Sequence, residues 1–205
     1  MMGKCLFMRK GEVHTTPLAL PSDYIKLAYI KGDGNAYINT LFTANQDTRV
    51  VYDMEKVTAA ATAENFFGAR SGNNSRTYSL YTYNGGWRSG FNTAVITADN
   101  AGPGRYLIDK NKNKTTINGV SLEDAPYGAF TTAYSILLFT FWENGPSSSR
   151  GTHKLFSCQI CDDGTLVRDF IPCINANGEI GLYDLVGKQF YGNAGTGAFV
   201  GSEVA

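Results

Sequence analysis

From Pro21 onward the chain alternates short apolar or aromatic runs with small clusters of turn-forming residues, and within the runs side-chain character changes every second residue. That period places successive side chains on opposite faces of a pleated strand. The runs fall at 24–30, 35–40, 48–57, 65–70, 77–83, 87–92, 104–110, 114–119, 134–142, 154–162, 166–174, 180–186 and 188–192. Helical spacing is almost absent. Between the runs stand Asp33-Gly34, Asn84-Gly85-Gly86, Asn118-Gly119, Asp163-Gly164 and Asn177-Gly178, which take up the positive φ of two-residue hairpin turns. Neighbouring strands are therefore expected to pair antiparallel.

Strands in this number exceed one flat sheet and predict an all-β fold of two packed antiparallel sheets, a jelly-roll sandwich over residues 21–205. Their unequal lengths and the loops at 58–64 and 143–152 fit a sandwich better than a closed barrel. Pro172 cannot donate to a ladder, which predicts an edge or a bulge in its strand. Lys110, Lys112 and Lys114 read as the solvated tip of a hairpin. The stretch 169–199 reads as structural closure, with Phe190, Tyr191 and Phe199 as core plugs. Residues 1–20 are mixed basic and apolar and predict an N-terminal arm or anchor.

Composition narrows the partners. Lys+Arg and Asp+Glu balance at 18 each, so no net field draws the protein to nucleic acid or to an anionic membrane. No apolar run is long enough for membrane insertion, and the first residues lack the pattern of a secretory signal, which predicts synthesis in the cytoplasm. Cys158 and Cys161 differ by three in a strand and leave it on opposite faces, so with His153 and Cys173 they make a poor metal site. No metal and no cofactor are expected. The glycine-rich 192–197 lacks the Lys-Ser/Thr of a phosphate loop.

The stretches "LPSDYIKLAYIKGDGNAYINTLFTANQDTRVVYDM" (20–54) and "KLFSCQICDDGTLVRDFIPCINANGEIGLYDLVGKQFYGNAGTGAF" (154–199) resemble the concanavalin A-like lectin/glucanase domains, of laminin-G type, of phage and prophage virion proteins and gut bacterial surface proteins. The resemblance implies a concanavalin A-like jelly roll that serves in attachment or decoration on a virion, at a capsid or tail surface, contacting carbohydrate or a host receptor. It also implies that residues 1–20 anchor the chain to other virion proteins, and attachment by many copies favours a homo-oligomer. A purely structural capsid or tail protein, or a bacterial surface glycan-binding module, are the alternatives.

The glucanases of that fold are a further alternative, and they carry three carboxylates at strand spacing, one pair of them acting as nucleophile and acid. Here only Asp53 and Glu55 have the right parity, and position 57 is Val, so no enzyme is expected. Sugar binding instead uses exposed rings with polar neighbours. Parity puts Tyr78 and Leu80 inward and Tyr81 and Tyr83 outward, with Trp87, Arg88 and Asn92 beyond the turn. Arg70, with Asn73 and Asn74, ends one strand, while Trp142, Glu143 and Asn144 stand at a sheet rim. The ligand-binding set is therefore Arg70, Tyr81, Tyr83, Trp87, Arg88, Asn92, Trp142 and Asn144, with both tryptophans expected to be exposed.

Overall fold

The computed structural model describes residues 19–203 except 61, 73, 74, 144, 148 and 149. Most of the predicted arm, including Cys5 and His14, and the site candidate Asn144 lie outside the described residues. All strands lie in two antiparallel sheets. The ten-stranded sheet runs in the order β10 (Val120–Ser121), β9 (Lys114–Ile117), β8 (Gly104–Asn111), β3 (Thr48–Lys56), β12 (Lys154–Asp162), β1 (Ile25–Gly32), β13 (Thr165–Ile174), β14 (Ile180–Asp184) and β15 (Gln189–Tyr191), with β16 (Phe199–Glu203) on β1. The six-stranded sheet runs β2 (Ile38–Asn45), β11 (Thr131–Leu138), β4 (Glu64–Ala69), β5 (Thr77–Tyr83), β6 (Gly86–Asn92) and β7 (Ala94–Ala98). The result is an open, sandwich-like all-β protein.

Alternation decides what lies between the sheets. Val50, Tyr52 and Met54 of β3 and Ile108 of β8 meet Phe66, Tyr78, Leu80, Phe91 and Ile136 from the other sheet in one buried cluster. Asn84-Gly85 and Asp163-Gly164 have positive φ at both residues and close two-residue hairpins, as their sequences predict. Asp33-Gly34 does something else: β1 and β2 belong to different sheets, so the chain crosses over there. The Asp33 carboxylate accepts the amides of Asn35, Ala36 and Ala198, which ties the crossover to the 192–198 loop. Backbone hydrogen bonds hold its pKa down even though partial burial pushes it up. In the C-terminal closure, Tyr191 and Phe199 are buried in the core, whereas Phe190 is half-buried and packs on Tyr24.

Three local expectations need correction. Pro172 is not on an edge: β13 is an inner strand, and the proline falls where its partner changes from β12 at Phe170 to β1 at Cys173. A missing donor is tolerated at that seam because neither the β12 ladder nor the β1 ladder spans it. The sequence runs do not mark β7, β10 or β16, and β11 begins at Thr131 rather than at 134.

The third correction is Lys110. Its hairpin turns at Lys112-Asn113, with Asn111 paired to Lys114, so Lys110 is on the inward face beside Ile108 and has 0% exposure. Its Nζ donates to Ser89 Oγ at 2.8 Å, lies 4.8 Å from the Tyr78 ring centroid, and has no carboxylate partner among the described residues. Lys112 and Lys114 stay at the surface, paired with Asp47 and Asp124.

Burial alone pushes the Lys110 ammonium down to about 7. Between that value and the ordinary 10.5 the unfolded chain holds a proton that the folded one lacks, so folding stability rises with pH across this window. Lys110→Met should flatten the rise between pH 7 and 9 and stabilise the protein at pH 6.5 by on the order of 2 kcal/mol. Urea unfolding midpoints at those pH values provide the measurement.

Candidate functional site

The outer face of the six-stranded sheet carries a cleft of about 400 Å³. Its walls include Asn65 of β4, Tyr81 and Tyr83 of β5, and Arg70, Phe141 and Glu143 from the flanking segments. A bulge in β4 sets this up. Asn65 pairs with Tyr81 but Phe67 pairs with Leu80, so one residue is extra between them. Phe66 and Phe67 can then both enter the core, against Trp87 and Tyr52 respectively, while Asn65 is left on the outer face beside Tyr81.

The segment after β11 supplies the other wall. Trp142 bridges Ala69, and the Arg70 amide donates to the Trp142 carbonyl at 3.1 Å. This places the Phe141 ring 5.5 Å from Tyr81 and 4.4 Å from the Arg70 guanidinium, whose Nη2 is ion-paired with Glu143 Oε2. Burial pushes the Tyr81 phenol up, against the pull of Arg70 and Arg88, so its hydroxyl stays un-ionised at neutral pH.

Four side-chain atoms on β4–β5 or just beyond β4 are buried without a hydrogen-bond partner: Asn65 Nδ2, Arg70 Nε, Thr77 Oγ1 and Ser79 Oγ. Orphaned polar atoms are costly and uncommon, and their concentration on one face marks it out. Gly68 and Gly90 flank Ser79 in register, and a Cβ at either position would collide with β5.

The structure brings Arg70, Tyr81 and Tyr83 into the cleft, with Arg88 opposite Tyr81 on the neighbouring strand. Tyr83 is 52% exposed. Asn92 is four residues further along β6, at about 3.3 Å per residue, and does not line the cleft. Trp142 is half-buried and leans on Tyr134 with centroids 5.1 Å apart, outside the cleft. Trp87 is a correction: it is 3% exposed and sits between the sheets, 5.5 Å from Phe66 and 4.9 Å from Tyr106. With the turn confined to Asn84-Gly85, Trp87 falls opposite the inward-facing Thr82 and takes its face. Asn65 and Phe141 are among the site residues that the sequence reading misses. The double Phe after Asn65 is the one sequence sign that a bulge sits there.

Other polar clusters are internally matched. Asp53 binds Arg105 at 2.6 Å and Glu55 binds Lys154 at 3.1 Å, so both carboxylates of the pair with strand parity carry a cationic partner. A smaller cavity of about 270 Å³ is lined by Asp47, Lys112, Arg49 and Asp163, with Asp47 bound to Lys112 and Arg49 bound to Asp109. The hydrogen bond from Lys112 holds the Asp47 carboxyl down. Cys158 and Cys173 are free and buried, and burial pushes the Cys173 thiol up to about 12. Among the described residues no group of three His, Cys, Asp or Glu side chains could hold a metal ion.

Fold and site together define an all-β protein of two antiparallel sheets with a polar-aromatic cleft on the outer face of the smaller one. No protein-family model matches the chain, and no curated protein matches it.

Trp87→Ala should destabilise the fold by about 3–5 kcal/mol, the range for emptying a large aromatic site in a packed core. Tyr83→Ala should change stability by under about 0.5 kcal/mol, as exposed substitutions do. Denaturant titrations of the two variants read both values.

Proposed function

We propose that this chain is a non-enzymatic attachment or decoration module that holds a carbohydrate in the cleft on β4 and β5, built on a concanavalin A-like jelly roll and carried on a phage particle. The observation that carries the reading is the cleft itself. Two aromatic rings, Tyr81 and Tyr83, stand beside the polar side chains of Asn65, Arg70 and Glu143, and rings for the apolar face of a sugar with polar groups for its oxygens are what saccharide recognition requires. The resemblance of residues 20–54 and 154–199 to virion domains supports the phage setting, with residues 1–20 as the anchor to other virion proteins. The ion pairs that engage Asp53 and Glu55 favour binding over hydrolysis.

A single cleft of this size yields weak affinity, and display of many copies on one particle converts it into firm adhesion without new contacts. The test is a glycan array probed with the full chain and with Tyr83→Ala. The intact protein is expected to give a saccharide signal, and the variant to lose it by about tenfold while keeping its unfolding midpoint. Saccharide binding that survives Tyr83→Ala unchanged would place the ligand elsewhere.

A further inference from the structure

The chain has four cysteines, Cys5, Cys158, Cys161 and Cys173. Cys158 and Cys173 are free thiols, whereas Cys161 is disulfide-bonded. A disulfide within one chain needs a second cysteine, and the two free thiols leave Cys5 for that part.

The place of Cys161 in the fold suits such a bond. Against β3 the register is regular there, with Ile160 opposite Val50 and Cys161 opposite Arg49. Val50 and Ile160 belong to the core, while Arg49 faces the other way and binds Asp109. Cys161 therefore stands on the outer face of the ten-stranded sheet, and it is nonetheless 0% exposed. Cys158 points into the core from the opposite face, away from any partner that Cys161 meets.

Chain length permits the link. β1 begins at Ile25, opposite Ile174 of β13, and Cys161 lies opposite Leu166 of the same strand. From position 166 to position 174 is eight residues, or about 26 Å along the strand. From position 5 to position 25 is twenty residues, which reach up to about 66 Å when fully extended.

We infer that Cys5 is joined to Cys161, so that the N-terminal arm is tethered covalently to the outer face of the large sheet. The oxidant is a small-molecule disulfide such as oxidised glutathione. The Cys5 thiolate attacks one of its sulfurs and releases one glutathione thiolate; the Cys161 thiolate then attacks the Cys5 sulfur of the mixed disulfide and releases the second. The two protons and two electrons lost by the cysteines end on the two glutathione thiols. A reducing cytoplasm reverses the exchange, so the bond is completed outside it. A pull on the arm is thereby delivered to β12, an inner strand paired with β3 and β13. The tether stands apart from saccharide binding in the cleft.

Disulfide mapping of the full chain tests it. The protein is incubated with oxidised glutathione, its remaining thiols are alkylated after denaturation, and the non-reduced tryptic digest is read by mass spectrometry. Alkylation of Cys158 and Cys173 alone is expected, together with peptide 5–9 linked to peptide 155–168. Because the second peptide carries both Cys158 and Cys161, two variants assign the bond: Cys158→Ser should keep the link and Cys161→Ser should abolish it. Alkylation of all four cysteines, a link that survives Cys161→Ser, or a link between two chains that runs as a dimer on a non-reducing gel overturns the inference.

Discussion

Glu64 sits between the two sheets at 1% exposure, and its carboxylate is the point where they are joined by charge. Oε1 accepts the Thr152 amide at 2.7 Å and lies 3.3 Å from His153 Nδ1, while Oε2 accepts from Thr58 Oγ1 at 2.6 Å and lies 3.7 Å from Lys56 Nζ. The other face of His153 is held too: Nε2 is 2.8 Å from Tyr52 Oη, and the ring stacks on Phe139 at 4.5 Å. Lys56 spends its three donors on Thr58 O, Thr58 Oγ1 and Ala59 O. A buried ion pair is tolerable only when the remaining hydrogen-bonding capacity is filled in this way. Tyr52, Glu64 and His153 form a chain that looks like a proton relay, yet each is shut away from solvent, so its work is to hold strands in place.

That network fixes the start of β4, and the site follows from it within a few residues. With Glu64 held inward, Asn65 must point outward, and the bulge then returns Phe66 and Phe67 to the core. A carboxylate that binds the sheets thus aims an amide at the opposite face. Phe139, which stacks on His153, begins the segment that delivers Phe141 and Glu143 to the cleft two and four residues later. Both walls of the site are therefore anchored to one buried cluster, which supplies the rigidity a binding constellation needs.

Much of the sheet structure was legible because alternation and turn chemistry are local. The outward setting of Tyr81 and Tyr83, the Asn84-Gly85 and Asp163-Gly164 hairpins and the place of Arg70 just past the end of β4 could all be read from short windows. What failed were matters of register. Counting Gly86 into the turn hides that Trp87 faces Thr82, and counting Lys110 into a hairpin tip hides a lysine in the core. A shift of one residue exchanges the two faces of a strand, so such an error reverses a side chain's role completely. Crossovers were illegible for a different reason: Asp33-Gly34 looks like a hairpin turn, and only the hydrogen bond from Ala198, 165 residues away, reveals its use. The pairing of Arg70 with Glu143 is likewise long-range and has no local signature.

The Glu64 carboxylate thus holds the sheets together. Partners in the network keep its pKa down to about 2 against the push of burial, from an ordinary value of 4.5. Because the folded state binds its proton less readily, this stabilisation is full above pH 4.5 and is lost as pH falls toward 2. The direct measurement is the unfolding free energy of the wild type and Glu64→Gln between pH 7 and pH 3. The variant should show a deficit of about 3–5 kcal/mol at pH 7, as for breaking a buried pair, narrowing as the pH drops below 4.5. A deficit under about 0.5 kcal/mol that does not change with pH would contradict it.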